Sequence, residues 1–194
     1  MGKVDIVEFR ARMCDAAEAL FAAEGPDGVT MRQLADALGV SAMTPYRYFK
    51  DKDAILAAVR ARGFNRFADA MEAAHSRLEK SGGFRPDAAY LDFALSNPNA
   101  YRMMFDTNQP TASRYPELVK AMNRARSTMT SGWRELAAAG KFKGDVELVG
   151  RQIWAAMHGA VMLEFSGMFR APHYARTVGM AAIASLSKAI MGPK

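Results

Sequence analysis

Residues 30–56 read Thr-Met-Arg-Gln-Leu-Ala-Asp-Ala-Leu-Gly-Val-Ser-Ala-Met-Thr-Pro-Tyr-Arg-Tyr-Phe-Lys-Asp-Lys-Asp-Ala-Ile-Leu. Thr30 followed by Gln33 has the form of a capping box and opens a short helix whose Met31, Leu34, Ala35 and Leu38 face inward. Gly39 breaks that helix and permits a tight turn. Ser41 is placed to cap a second short helix, predicted from Ala42 to about Tyr48. Asp51 is placed to cap a third, which begins at Lys52 and continues through Ile55, Leu56, Val59, Phe64, Phe67 and Met71. Ala35 is small enough to let two helices cross closely, and Val40 with Leu34 and Leu38 fills the core between them. These are the parts of a helix-turn-helix.

With that core inside, Ala42, Met43, Thr44, Tyr46 and Arg47 fall on or near the outward face of the second helix, where a major groove can receive them. Arg47 is suited to a two-pronged hydrogen bond with guanine, and Met43 and Thr44 to a thymine methyl. Tyr46, Tyr48, Lys50 and Lys52 suit phosphates, while Thr30 and Arg32 suit the backbone of the other strand. A packed helical corner with a solvated face is the plainer alternative, and the commoner one for an isolated pair of short helices. Tyr46, Tyr48 and Phe49 weigh against it, because three rings so close together cannot all be buried by one short helix. At least one must face outward.

The run resembles the N-terminal domain of the tetracycline-repressor-like (TetR) family of bacterial regulators. That pattern has a Thr, then Ile/Leu-Ala, Gly-Val-Ser, Tyr-x-x-Phe and Lys-x-x-Leu. Thr30, Leu34-Ala35, Gly39-Val40-Ser41, Tyr46, Phe49 and Lys52 through Leu56 match it in one register, and Phe21 and Gly25 extend the match to roughly residues 8 to 60. Pro45 departs from the pattern. In the first turn after Ser41 its missing N–H costs little more than the bond back to the cap, and it is expected to tilt the helix and alter base preference. The resemblance implies an all-α chain. A three-helix helix-turn-helix domain over residues 1–52 would be joined by a connector helix to a helical effector-binding and dimerisation bundle over residues 53–194. It also implies a ligand-responsive repressor with an operator of double-stranded DNA as partner.

Upstream, Phe9, Met13, Ala16, Ala17, Leu20 and Phe21 recur at three and four residues and build one apolar stripe, so a first helix is predicted from about Asp5 to Glu24, ended by Gly25-Pro26-Asp27-Gly28. Downstream, helices are predicted near 87–96, 98–106, 115–139, 145–167 and 172–191. Asn97-Pro98, Asp145 and Pro172 mark starts, and Ser81-Gly82-Gly83 is the candidate boundary.

The C-terminal part resembles the subgroup with a Trp, then His-Gly signature (WHG), carried here by Trp154, His158 and Gly159 with Tyr90-Leu91-x-Phe93-Ala94 and Asn97-Pro98-x-x-Tyr101-x-x-Met104-Phe105. One reading makes Tyr90, Phe93, Tyr101, Met104 and Phe105, with Met129, Trp133, Trp154 and Met157, the walls of a pocket for an apolar or amphipathic effector. Tyr101 or His158 would be its polar anchor. The other makes the same residues ordinary core, which is the commoner fate of Met and aromatic side chains at helical spacing.

Small residues fall on the last two helices: Ala155, Ala156, Gly159 and Ala160, then Val178, Ala181, Ala182, Ala184, Ser185 and Ala189. They allow a four-helix homodimer seam, or close packing within one subunit.

The whole chain has 194 residues, half of them hydrophobic, with 26 Lys and Arg against 20 Asp and Glu for a formal +6. This suits one globular body with at most a small subdomain, and argues against disorder. The excess is misleadingly placed. Residues 1–52 carry seven basic against eight acidic side chains, although 28–52 carry four against two.

The longest uncharged stretches, 152–163 and 177–187, are short of the ~18 apolar residues of a spanning helix, and the acidic N-terminal residues do not suit a secretory peptide. No membrane association and a cytoplasmic location are expected. The lone Cys14 fits a reducing compartment.

His75, His158 and His173 lack the i, i+4 spacing of a helical zinc site and a clear carboxylate partner. No phosphate-cradling or nucleophile-elbow motif is present either. No enzyme activity, metal or cofactor is expected. The rival function is a helical ligand-binding or adaptor protein without DNA contacts, favoured by the mildly negative N-terminal segment and opposed by Arg47, Lys50, Lys52 and the outward tyrosines.

Overall fold

The structure is a computed structural model that describes residues 3–81, 86–106, 111–171 and 174–191; Gly82-Gly83, Pro172 and His173 lie outside the described residues. Every regular element among the described residues is helical. In order they are α1 (Lys3–Gly28), α2 (Met31–Ala37), a 3₁₀ turn (Pro45–Arg47), α3 (Lys52–Ser81), α4 (Pro86–Ser96), α5 (Pro98–Phe105) and a second 3₁₀ turn (Ala112–Arg114). Then come α6 (Pro116–Thr128), α7 (Ser131–Ala138), α8 (Val146–Phe165) and α9 (Tyr174–Met191). The chain divides into two compact units, Met1–Phe64 with Asn99–Met122, and Asn65–Pro98 with Asn123–Lys194.

In the first unit the apolar stripe of α1 does what its spacing predicts. Met13, Cys14, Ala17 and Phe21 are buried together with Val29, Leu34 of α2, Phe49, and Ile55, Leu56 and Val59 of α3, and Met103 of α5 shares that core. Each large side chain so removed from water contributes on the order of 1.5–3 kcal/mol. α1 is bent at Gly25, whose φ of 74° leaves the helical path one residue past the predicted end, and a last turn through Pro26 follows. Asp51 caps α3 as expected, its Oδ1 accepting the Ala54 amide at 2.8 Å.

Two expectations are corrected. The helix expected over Ala42 to Tyr48 is only the three-residue 3₁₀ turn Pro45–Arg47. Pro45 has no N–H to give the Ser41 carbonyl, which instead takes the Thr44 amide at 2.9 Å. Arg47 and Tyr48 then bond three residues back, to Thr44 and Pro45, at 3.1 and 3.0 Å. Ser41 caps nothing with its side chain: its Oγ meets Thr44 Oγ1 at 2.9 Å.

The helix expected over 115–139 is broken at Met129–Thr130 into α6 and α7. Here Ser127, Thr128, Thr130 and Ser131 each donate a hydroxyl hydrogen to the carbonyl three residues back, at 2.7–3.1 Å, competing with the helical ladder.

That break, in the second unit, is where α8 seats. A Cβ on Gly150 would lie 2.4 Å from Thr130 Cγ2 and 3.2 Å from the Met129 carbonyl oxygen, so only glycine fits against the buried Thr130. Asp145 caps α8, its Oδ1 accepting the amides of Glu147 and Leu148 at 2.9 and 3.0 Å. α9 packs along α8 with Gly179 against Leu91 and Ala160.

Leu34→Ala should cost about 2–5 kcal/mol by cavity formation, and Gly150→Ala about 1–3 kcal/mol by overpacking. Both are to be read as a lowered urea midpoint of helical circular dichroism.

Candidate nucleic-acid interface

The turn after α2 is built by short-range bonding. Thr30 and Gln33 form the reciprocal capping box: Thr30 Oγ1 accepts the Gln33 amide at 3.2 Å, and Gln33 Oε1 accepts the Thr30 amide at 2.8 Å. The other end of the Gln33 amide donates to Glu24 at 2.8 Å, which ties α2 to α1. Gly39, at φ 66°, closes α2; its amide donates to Asp36 and that of Val40 to Ala35. Leu34 and Ala35 are fully buried, while Leu38 and Val40 are half-buried.

The segment that follows has an inner and an outer side. Pro45 and Phe49 are buried, whereas Ala42, Met43, Tyr46, Arg47 and Lys50 are exposed, Met43 at 70% and Tyr46 at 49%. Thr44 is half-buried. Of the three neighbouring rings, Phe49 goes in, Tyr46 goes out, and Tyr48 lies flat on Phe9 of α1 with ring centroids 4.1 Å apart.

The fastening is Arg10, which sequence reasoning did not single out. Its guanidinium sits 4.2 Å from the Phe49 ring centroid, and its Nη1 donates to the Tyr48 carbonyl at 2.6 Å. The only sequence signal was a cation beside Phe9 on the edge of an apolar stripe.

The remaining candidates for backbone contact differ among themselves. Thr30 and Arg32 are exposed at the start of α2, and Arg32 makes a loose pair with Asp36 at 3.9 Å, worth little at such exposure. Lys52 is turned inward: its Nζ donates to the Pro26 carbonyl at 2.6 Å, which commits one of its three donors to holding α3 against the end of α1.

The residues read as pocket walls divide between the two units. Tyr101, Met104 and Phe105 belong to the first, where Tyr101 and Met104 are fully buried and Tyr101 packs on Phe105 with centroids 4.8 Å apart. Tyr90, Phe93, Met129, Trp133, Trp154, Met157 and His158 belong to the second. Tyr90 and Phe93 set their edges against Phe67 at 5.2 and 5.4 Å, and Trp133 meets Phe142 at 5.3 Å. Trp154 and His158 are half-buried, and burial lowers the His158 pKa. His75 has a carboxylate partner after all, with Nε2 and Glu135 Oε1 2.8 Å apart across two helices. Burial raises the Cys14 pKa, as suits a thiol used in packing. No helix of the described residues is long and apolar enough to cross a membrane.

Comparison with known proteins bears on the same two regions. Residues 14–59 match the family described as "Bacterial regulatory proteins, tetR family", and residues 88–186, just over half the chain, match "Tetracyclin repressor-like, C-terminal domain". The chain is 38% identical over 63 residues to the HTH-type transcriptional regulator SAB2452 of Staphylococcus aureus (strain bovine RF122 / ET3-1), a match that spans 32% of this chain and 34% of that relative's length.

A solved protein of unknown function from Rhodococcus sp. RHA1 is similar at 27% identity and a TM-score of 0.77, covering 94% of this chain and 95% of that one. A putative TetR-family transcriptional regulator from Mesorhizobium loti MAFF303099 shares the fold at 20% identity, with a TM-score of 0.69, 96% of this chain and 97% of that one. With a buried core, a capped α2 and an outward turn in the register of the first match, and the second match running from α4 into α9, the chain belongs to the TetR family of bacterial regulatory proteins.

Proposed function

We propose that this chain is a non-enzymatic, DNA-binding transcription regulator that acts as a homodimer and is released from its operator by a small apolar or amphipathic effector. The observation that carries the reading is the two-sided turn: Pro45 and Phe49 are buried, while Met43, Tyr46 and Arg47 stand exposed together. Arg47 reads a guanine edge and Met43 a thymine methyl. Tyr46, Lys50, Thr30 and Arg32 hold phosphates, and the second half of the turn is fastened from behind by Arg10.

Two such turns must address half-sites about 34–36 Å apart, which requires a dimer. α8 and α9 supply the face. Ala160 and Gly179 are used inside the subunit, but Ala155 on α8 and Ala181, Ala184, Ser185 and Ala189 on α9 are exposed, as are Leu148, Met162 and Leu163. An exposed face of small and apolar side chains on two adjacent helices is what a two-fold helical seam needs. An effector that binds one separation of the two heads better than the other shifts the population away from the DNA-bound one. The half-buried Trp154 and His158 are the pocket residues best placed to meet it.

In gel shifts with the DNA flanking its own gene, Arg47→Ala should lose about 1–3 kcal/mol of specific binding, while Lys50→Ala weakens all sequences alike and lowers the salt slope by about one. A bound fraction indifferent to salt and to Arg47→Ala would favour the adaptor reading instead. Sedimentation at micromolar concentration should give a dimer for the natural chain and a monomer for Ala181→Glu, which should also lose most of its operator binding; a monomeric natural chain would remove the seam.

A further inference from the structure

A cavity of about 420 Å³ lies within the first unit, between α1, the start of α3 and the start of α6. Its walls are apolar over Phe49, Ala54, Ala57, Ala58 and Leu118, and its charged lining consists of Arg10, Arg114 and Glu117. We propose that this cavity is an effector site of its own, which takes a compact apolar monocarboxylate whose charged end captures Arg10 and so unfastens the turn that faces DNA.

The size suits a ligand of one or two rings or a short acyl chain. Phe49 and the three alanines offer an apolar floor with little side-chain bulk. The charge suits an anion: two guanidiniums line the space against the single carboxylate of Glu117, which is 84% exposed and only 4.0 Å from Arg10. Arg114 is itself exposed at the end of its 3₁₀ turn, and the first turn of α6, Pro116 to Leu118, brings the positive end of a 13-residue helix to the same wall. Tyr115 also lines the cavity, and its hydroxyl pKa is raised by burial and then by Asp51 and Asp53. Those two carboxylates do not line it, and Asp51 is occupied with the Ala54 amide.

The consequence follows from what Arg10 already does. It spends one donor on a neutral acceptor, the Tyr48 carbonyl at 2.6 Å, and its face on the Phe49 ring, which is itself part of the cavity wall. A carboxylate arriving in the cavity offers two charged acceptors in the geometry that a guanidinium fits, and a charge-assisted pair outcompetes a bond to a neutral carbonyl. The Tyr48 carbonyl then loses its charged partner, and the turn is left to the Phe9 stack and the burial of Phe49, which loosens the presentation of the residues just before it. This effect on DNA rests on the DNA-binding reading above, whereas the site itself does not. By linkage the two ligands must also weaken each other by one common factor.

The decisive experiment is calorimetric titration of the full chain, without DNA, using 2-naphthoate and octanoate, each against its neutral alcohol, 2-naphthalenemethanol and octan-1-ol. At least one carboxylate should bind about tenfold or more tightly than its alcohol. Arg114→Ala, which leaves Arg10 in place, should lower that preference by about threefold while leaving the alcohol within about twofold. Ala58→Phe should fill the cavity and abolish both, with an unchanged unfolding midpoint showing that the variant folds. Equal affinity of acid and alcohol, no binding of either acid at millimolar concentration, or binding indifferent to both substitutions would overturn the site. In a gel shift the bound carboxylate should weaken DNA binding by the factor that DNA weakens the carboxylate; full DNA affinity with the carboxylate bound would overturn the coupling. Failure to bind any DNA would count against the regulator reading, with the calorimetry still deciding the cavity.

Discussion

Burial of Phe49 is the constraint on which the outward face of the turn at Pro45–Arg47 depends. The ring enters the core shared by Met13, Phe21, Leu34 and Ile55, and by entering it turns the preceding residues so that Tyr46 and Arg47 face solvent. A turn of three residues has too few internal hydrogen bonds to hold that orientation by itself. It is held instead by packing on one side and by Arg10 on the other, through the Tyr48 carbonyl and the Phe49 ring. Presentation of the surface is therefore a tertiary property borrowed from α1 and α3.

The same dependence appears in the second unit in a different form. The hydroxyl-rich run from Ser127 to Ser131 draws carbonyls away from the helical ladder and breaks what would be one long helix. The gap is then filled by close approach of Gly150, where no side chain fits. α8 is thus located by a defect in its neighbour, and its opposite side keeps Leu148, Ala155 and Met162 exposed.

Features set by neighbours along the chain were legible from the residues. The capping box at Thr30 and Gln33, the caps at Asp51 and Asp145, the stop at Gly39 and the stripe of α1 each rest on residues within one or two turns of each other, so spacing alone carries them. Residues 42–48 are predicted as a helix because Ser41 is placed as a cap and Pro45 fits its first turn. In the folded chain Pro45 has no donor to give the Ser41 carbonyl, and the bonds from Thr44, Arg47 and Tyr48 reach back three residues, with a single four-residue bond from Phe49 to Pro45 at the end of the turn. Lys52 was legible as a cation but not as a tie to Pro26. His75 was legible as a histidine but not as the partner of Glu135, sixty residues away.

Taken alone, the order of amino acids determined the helical class, most helix starts and stops, and the membership of residues 14–59 in a known pattern, because these depend on local hydrogen bonding and on the 3.6-residue period. Only the tertiary structure decided that Arg10 holds the turn, that Met103 joins the core of α1, and that residues read as one set of pocket walls divide between two units. Those outcomes depend on which distant side chains compete for the same buried space and the same carbonyl, a competition that spacing along the chain does not encode.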